Sequence, residues 1–386
     1  MQYSRKIFGV LIGCFLLLVM GLFIVINQKD EVVFSRHIYS LEDTLRLNNV
    51  EIGKNNTDEE RLCFKFIRSK MTGSSGGVFT NYLETGEKKD YATGHEMLSE
   101  SIGLMMLYSI KTNDHTLFEE QFVLLERFLL MPQYMVRWRV HEKDWALSRS
   151  SATIDDLRII RSLLLAQELW EDEKYSELAL EISSGIKQYA MRDSSIVNYY
   201  CQKYDDCASV VDLSYIDLRT MAILSTYDKS WEKTLVKGHR LIEGGMISDE
   251  FPLYHRSYDY DRNSYNENPE INILDSLSTL LHLSETGKLD QRSIDWIYEQ
   301  FSTRGAIYAK YSLDGQPLST IESTAAYALI ARIAKSAGDS LLYEKAMSKV
   351  LQFQVHEFDS PLNGAFGYLE ELEVFSYDNL QALLAF

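Results

Sequence analysis

The stretch of residues 98–110, LSESIGLMMLYSI, places one carboxylic acid inside an otherwise apolar helical pattern. Its apolar residues recur at the spacing of a helix, which predicts a buried core helix. Glu100 lies early in this helix between Ser99 and Ser101, and such small neighbours leave space for a substrate to approach its carboxyl group. Burial would raise the pKa of that carboxyl group and keep it protonated as a proton donor near neutral pH. Taken alone, Glu100 would more commonly be a capping or surface carboxylate.

The same periodicity continues along the chain and predicts an all-α protein. Its similar helical segments, joined by alternating short and long links, favour an (α/α)6 barrel in one domain over residues 58–386. The twelve expected helices are 58–71, 95–112, 115–131, 153–171, 174–191, 210–226, 229–243, 270–286, 290–302, 320–337, 340–356 and 375–386. The long links would gather at one end, and loops on a rigid scaffold are where binding groups concentrate. A helical-repeat scaffold is the structural alternative, but no fixed repeat period is present.

The N-terminus carries an uncharged apolar run of 20 residues, 7–26, which is long enough to span a bilayer. Two basic residues precede it, so residues 1–6 are predicted to stay in the cytoplasm and the rest of the chain to be exported. Residues 27–57 are polar and are interpreted as a stalk or arm. A lipoprotein cleavage box ending at Cys14 is the alternative. Few apolar residues precede that cysteine, so a single-pass, uncleaved membrane anchor is favoured.

Composition narrows the choice of partners and cofactors. The formal net charge of −17 repels a phosphate backbone, which argues against nucleic-acid binding and favours a neutral or cationic glycan over an anionic one. The four cysteines contain no C-x-x-C pair, so neither a zinc site nor another cofactor is predicted. Cys201 and Cys207 bracket a short polar loop and could form a disulfide outside the cell. Cys63 lies in an apolar helical stretch and is predicted to be a buried thiol.

A second candidate region joins the aromatic residue Trp138 to an acidic helix start, SATIDDLRII, at residues 151–160. Thr153 could cap that helix, whose first turn holds Asp155 and Asp156. Two acids at a helix N-terminus are commonly there to complement the helix dipole. The functional alternative places one of these carboxylates at the barrel mouth, where it would hold sugar hydroxyls.

Two further regions carry candidate carboxylates. Asp212 opens the segment VDLSYIDLR, which also contains Tyr215, and it could serve only as a helix cap. Asn272 and Asp275 follow a tyrosine-rich loop that suits sugar stacking. Asp275 interrupts an apolar helix, where an unpaired carboxylate is costly. It therefore has a buried partner, a functional role or an exposed position.

These regions together resemble the family-8 glycoside hydrolases over roughly residues 75–386. The segment LSESIGLMMLYSI is similar to that family's signature glutamate motif, and SATIDDLRIIRSLLLA is similar to its ATDADLDIA-type helix. DLSY and the C-terminal AFGYLEELEVFSYDNLQALLAF resemble two further motifs in the same order. The resemblance is strongest to a divergent branch associated with bacterial exopolysaccharide operons. Ile154 and Arg158 occupy positions where the family motif has aspartates.

The resemblance implies an inverting mechanism without a metal. Glu100 would protonate the glycosidic oxygen, and Asp275, with Asp259 and Asp261 as alternatives, would activate a water across a carboxyl separation of about 6.5–9.5 Å. Asp155 or Asp156 would hold the distorted sugar. The remaining residues predicted to contact substrate are Trp138, Tyr91, Asp212, Tyr215 and Asn272.

The sequence therefore predicts a membrane-anchored, extracellular endo-glycosidase that hydrolyses a β-linked bacterial polysaccharide such as an exopolysaccharide, a glucan or a chitosan-like polymer. The first alternative is a degenerate glycan-binding protein, which the altered residues at 154 and 158 would favour. A polysaccharide lyase or epimerase ranks lower because the key regions are acidic rather than basic. A structural partner of a polysaccharide synthase or export complex is a third alternative that could coexist with hydrolysis.

Overall fold

The computed structural model of the protein describes residues 57–85 and 91–386, in which each predicted helical segment contains an α-helix. The helices are α1 (Asp58–Lys70), α2 (Ser99–Thr112), α3 (His115–Leu124, continued by a wider turn over Leu125–Leu129), α4 (Thr153–Trp170), α5 (Glu173–Tyr189), α6 (Leu218–Tyr227), α7 (Ser230–Gly244), α8 (Ile273–Ser284), α9 (Gln291–Thr303), α10 (Thr324–Ala337), α11 (Ser340–Gln352) and α12 (Ser376–Ala385).

Six of these helices form a closed inner ring. Each of α2, α4, α6, α8, α10 and α12 contacts the next one in this order, and α12 returns to contact α2. Five outer helices, α3, α5, α7, α11 and α1, pack against α2, α4, α6, α10 and α12 respectively. Fully buried side chains such as Met105, Leu163 and Ile330 fill the interior, and each contributes about 1.5–3 kcal/mol to stability. The predicted all-α class and (α/α)6 arrangement are confirmed for this part of the chain.

Helix boundaries follow local capping chemistry. Asp114 before α3 and Asp339 before α11 each accept a backbone N–H from the first turn at 3.0 Å. Gly338, which follows α10, adopts the left-handed conformation (φ 74°) that glycine tolerates best. These caps explain why the alternation of short turns and long links could be recognised from the sequence.

Short antiparallel strands precede several inner helices, where the sequence predicted only helix. The strands are β1 (Met97–Leu98), β2 (Arg139–Val140), β3 (Met191–Arg192), β4 (Ser195–Ile196), β5 (Tyr200–Cys201), β6 (Asp206–Cys207), β7 (Val210–Asp212), β8 (Ser257–Asp259), β9 (Ser264–Tyr265), β10 (Glu270–Asn272) and β11 (Lys310–Ser312). They pair as β1–β2, β3–β4, β5–β6, β7–β8–β9 and β10–β11. The predicted helices at 95–112, 210–226 and 270–286 therefore start too early. Their first residues instead pair with the long links and fix where each inner helix begins.

The suggested disulfide is absent from the described structure. Cys201 and Cys207 are both free thiols. In the β5–β6 hairpin Cys201 lies opposite Asp206, and Cys207 lies opposite Tyr200. Because alternate residues of a strand point to opposite faces, this register directs the two thiols away from each other. Cys63 is fully buried, as predicted.

The predicted anchor at residues 7–26 and nearly all of the predicted stalk lie outside the described residues. Within residues 57–85 and 91–386, no helix is both long enough and apolar enough to cross a membrane.

Candidate active site

A cavity of about 360 Å³ lies within the inner ring and is called here the mouth cavity. It is lined from α2, α4, α8, α10, α12 and the turn before α6. Six residues predicted from the sequence line it, namely Glu100, Trp138, Asp155, Tyr215, Asn272 and Asp275. Glu100, Asp155 and Asp275 lie in the first turns of their helices, so the inner helices bring their N-termini, with their positive dipole ends, to this site.

Glu100 is positioned by the strand pair that precedes α2. β1 pairs with β2, and the backbone N–H of Ser99 donates to the carbonyl of Trp138 at 3.1 Å. This bond fixes the start of α2 and places the indole and the carboxyl group at the same cavity. Burial is the main reason that the pKa of Glu100 is raised to about 7; the charge of Asp155 adds to the rise and that of Arg158 opposes it. At neutral pH a large fraction of Glu100 therefore carries a proton.

Asp155 is buried beside Glu100 and is held by donors on three sides. The Ser99 hydroxyl donates to its Oδ2 at 2.7 Å, and Arg158 Nη1 donates to its Oδ1 at 2.5 Å. The backbone N–H of Glu100 also bonds to this carboxylate. Burial raises the pKa of Asp155, but these donors favour its ionised form. Within the pair, these donors favour the charge on Asp155 and the proton on Glu100. The suggested Thr153 cap is wrong, since Thr153 is already helical and Ala152 precedes it without a side-chain bond.

Asp275 lies across the ring from Glu100. Its helix, α8, is three positions away from α2 in either direction around the six inner helices. Arg256 Nε is 3.3 Å from Asp212 Oδ2 and 3.9 Å from Asp275 Oδ2, so one guanidinium serves both carboxylates. Burial raises the pKa of Asp275 to about 6, with Arg256 opposing the rise and Asp212 adding to it. Asp275 is therefore mostly ionised at neutral pH.

Two other predicted contact residues belong to the surroundings of the site. Asp212 does not line the mouth cavity; its Oδ1 accepts from the Asn198 amide at 2.9 Å, and it orients Arg256. It does not cap α6 either, because Asp217 accepts the N–H of Thr220 there. Asp156 is fully buried, and its Oδ1 accepts the backbone N–H of Val136 at 2.9 Å. Asp156 therefore ties α4 to the long link 132–152.

The more peripheral predictions lie on the surface. Tyr91 is 62% exposed and does not line the mouth cavity. The alternative bases are also outside it: Asp259 accepts backbone N–H groups of its own turn, and Asp261 pairs with Arg192 at 2.8 Å. Of the three aspartates weighed as the base, the structure thus brings only Asp275 to the cavity.

Trp138 and Tyr215 lie where the mouth cavity adjoins a second depression. Both line the mouth cavity and also a neighbouring depression of about 320 Å³, which includes Tyr199. The guanidinium carbon of Arg139 lies 4.6 Å from the centre of the Trp138 ring and covers one of its faces. Asn272 lines the cavity, but its side-chain oxygen accepts the N–H of Leu274 at 3.0 Å and so caps α8. Asn272 therefore serves as a helix cap, and its amide nitrogen is still able to donate to a substrate.

The inner end of the mouth cavity is lined by paired charges that the sequence analysis missed. Glu285 lies about 15 Å along α8 from Asp275, and both of its oxygens accept from Arg161 at 2.7 Å.

Arg158 and Tyr377 also line the cavity. Arg158 follows Asp155 by three residues, which is the spacing of an ion pair along a helix and was a usable signal. Tyr377 lies in the C-terminal segment singled out by resemblance, where no spacing marks it.

One group in the described residues has the composition of a metal site. Asp217, His282 and Glu285 approach one another closely enough to share an ion. Arg161 already occupies both oxygens of Glu285, and Thr220 donates to both oxygens of Asp217. His282 donates through Nε2 to the Ser214 carbonyl at 3.0 Å. Because the carboxylates are already compensated by a guanidinium and by hydrogen-bond donors, this donor set does not fit a cation.

A closed ring of six inner helices with carboxylic acids at its N-terminal end defines the chain as an (α/α)6 barrel with an acidic central cavity. The family model for glycosyl hydrolases family 8 matches residues 84–199, and the chain belongs to this family, in a divergent branch.

Three known proteins are similar to this chain over most of its length. A structure described as "a novel alpha-amylase from Clostridium perfringens" is 37% identical, with a TM-score of 0.80, over 85% of this chain and 96% of that one. The endoglucanase Cel10 from Klebsiella pneumoniae, a family 8 glycosyl hydrolase, is 14% identical with a TM-score of 0.60, over 84% of this chain and 98% of that one. The "Putative lipoprotein YdaJ" of Bacillus subtilis (strain 168) is 28% identical over 301 residues, which are 77% of this chain and 81% of that protein.

Proposed function

We propose that the protein is an inverting endo-glycosidase that hydrolyses a polysaccharide, with Glu100 as the proton donor and Asp275 as the base. The proposal rests chiefly on one observation: two carboxylic acids from opposite inner helices line one cavity, with pKa values of about 7 and about 6. Between these values Glu100 is mostly protonated and Asp275 is mostly ionised. An inverting hydrolase needs this combination of protonation states.

The surrounding residues provide the remaining requirements. Glu100 gives its proton to the glycosidic oxygen while Asp275 removes a proton from the attacking water on the opposite face of the sugar. Asp155, ionised beside Glu100, stabilises positive charge that develops on the sugar ring in the transition state. Trp138 and Tyr215 offer an aromatic face and a hydroxyl at the cavity wall, which suits a sugar ring. The adjoining depression extends the cleft beyond one sugar unit, which supports cleavage within a chain.

The substrate proposal is a glucan. The structure with 37% identity is named an alpha-amylase, and this favours an α-linked glucan over the β-linked polysaccharide predicted from the sequence. The formal charge of −17 supports a neutral polymer of either linkage. β-Linked polysaccharides are therefore included as separate substrates in the hydrolysis assay described next.

The decisive experiment is release of reducing ends by the full-length protein in detergent. Amylose, glycogen, carboxymethyl-cellulose, mixed-linkage β-glucan, xylan and chitosan form the panel, with Glu100→Gln and Asp275→Asn as variants. We expect one glucan to be cleaved and each variant to lose at least about a hundredfold in rate. The anomeric configuration of the first product, observed by NMR, should be inverted. Binding without cleavage of any polymer would instead support the non-catalytic alternative.

We propose that the protein is attached to the membrane by residues 7–26, with the barrel outside the cell. The hydrophobic run and the two basic residues before it support an uncleaved anchor. The name of the Bacillus subtilis relative favours the lipoprotein alternative at Cys14. The intact mass of protein extracted from membranes distinguishes them: an uncleaved anchor retains Met1, whereas lipoprotein processing leaves an acylated Cys14 at the N-terminus. Cys14→Ser should leave the mass pattern of an uncleaved anchor unchanged apart from the substitution itself.

A further inference from the structure

Arg158 lies at the contact between α2 and α4, where the family motif has an acid. Its Nη1 donates to Asp155 Oδ1 at 2.5 Å, and only 15% of its side chain is exposed. Its charge also acts on Glu100, and both residues line the mouth cavity. A cation is therefore bonded to one acid of the pair and acts electrostatically on the other.

Gly103 provides the space for this side chain. A Cβ atom at this position would lie 3.1 Å from Cδ and 3.2 Å from Cγ of Arg158, which is closer than an ordinary van der Waals contact. The backbone of Gly103 is helical, so the glycine is not required by its conformation. Glycine in a helix interior is destabilising relative to alanine. The clearance for the Arg158 side chain accounts for its presence.

We propose that Arg158, in the space left by Gly103, is a positioning residue that keeps Asp155 ionised and thereby directs the shared proton to Glu100. This inference rests on the proposed function of Glu100 as the acid. Two carboxylic acids so close together titrate as a pair, and an asymmetric cation decides which of them is protonated. The Ser99 hydroxyl, which donates to Asp155 at 2.7 Å, acts in the same direction.

Other groups facing Glu100 do not provide this asymmetry. Tyr215, before α6, and Tyr377, on α12, both act electrostatically on the same site, and burial raises the pKa of each phenol, so both stay neutral. Asp275 faces the cavity from the opposite side of the ring. Arg161 and Arg332 also line the cavity, but Arg161 pairs with Glu285 and Arg332 donates to Gln381. Of these three arginines, Arg158 is the one that bonds to Asp155 and whose charge acts on Glu100.

The test is an infrared titration of the full-length protein, because the C=O stretch of a protonated carboxyl group is visible without any substrate. The band of Glu100 is identified by its loss in Glu100→Gln. In Arg158→Met, we expect the titration midpoint of the pair to rise by about one pH unit or more, since the nearby opposite charge is lost. Arg158→Lys should keep most of the wild-type midpoint. Where hydrolysis is measurable, the alkaline limb of its pH profile should move with the infrared midpoint.

Two variants at the contact between α2 and α4 test whether the titration midpoint depends on the position of Arg158 or on the packing of the two helices in general. Gly103→Ala should press on Arg158 and shift the midpoint in the same direction by a smaller amount. Ser162→Ala is the matched control, because the Ser162 hydroxyl also bridges α4 toward Gly103 but does not reach the acid pair. A wild-type midpoint in Arg158→Met, or an equal shift in Ser162→Ala, would overturn the proposal. The infrared titration does not require hydrolysis. If the protein cleaves no polymer, the proposed function is refuted, but the infrared titration still tests the role of Arg158.

Discussion

The pH dependence of hydrolysis is the sharpest consequence of the opposed carboxyl groups. The rate requires Asp275 ionised, with a pKa of about 6, and Glu100 protonated, with a pKa of about 7. A bell-shaped profile is therefore expected, with its maximum at about pH 6.5, where about 60% of the molecules hold both required states. At about pH 8.5 that fraction falls to about 3%, so kcat/KM should drop about twentyfold.

The assay is initial-rate hydrolysis of the best substrate between about pH 4.5 and 9 in buffers of constant ionic strength. Asp275→Asn should remove the acidic limb from whatever activity remains, and Glu100→Gln should remove the alkaline limb. An exposed acid on the same barrel, Asp261→Asn, serves as the matched control and should leave both limbs in place. The assignment would be refuted by a flat rate between about pH 6.5 and 8.5 in the wild type, or by an alkaline limb that persists in Glu100→Gln.

Three further predictions concern stability, each measured by denaturant unfolding. Because the pKa of Glu100 is raised from 4.5 to about 7, its ionisation opposes folding as pH rises through this window; Glu100→Gln should therefore gain up to about 3 kcal/mol relative to wild type between about pH 5 and 8. Arg161→Met leaves Glu285 buried and unpaired and should cost about 3–5 kcal/mol, whereas the double variant with Glu285→Met should recover much of this loss. Gly185→Ala places a Cβ 2.6 Å from a backbone carbonyl oxygen of the facing loop and should cost about 1–3 kcal/mol, with the exposed Ser184→Ala as a neutral control.

The ring of helices could be predicted because helical periodicity and capping residues are local signals. Asp114 and Gly338 mark boundaries within a few neighbouring residues, and the structure shows both in these roles. The strands before α2, α6 and α8 could not be found in this way. Each is only two or three residues long, and it exists because a distant link supplies its partner. Residues that look like the first turn of a helix were therefore assigned to it.

The sequence predicted site residues correctly where an acid interrupts an apolar helix. It could not assign the role of an acid whose role depends on the residues it bonds to in the folded protein. Glu100 and Asp275 both break an apolar pattern, and both line the mouth cavity. Asp155 and Asp156 are adjacent in one helical turn, so the sequence could not separate them. The structure does, because a helix turns by about 100° per residue. Asp155 faces Ser99 and Glu100, whereas Asp156 accepts a hydrogen bond from the backbone N–H of Val136.

The two candidate catalytic acids differ in their protonation because each has a different set of neighbours, although both lie in the first turn of an inner helix. A helix N-terminus favours the ionised form of a carboxyl group, so it cannot explain a protonated Glu100. Glu100 is half-buried beside Asp155, which already takes the hydrogen-bond donors and the cation Arg158. Asp275 shares Arg256 with Asp212 and keeps 30% of its side chain exposed, so ionisation costs it less. Exchanging these environments would exchange the roles: a cation placed beside Glu100 alone would convert it from a proton donor into a second carboxylate. The assignment of acid and base therefore depends on the arginines as much as on the carboxylates themselves.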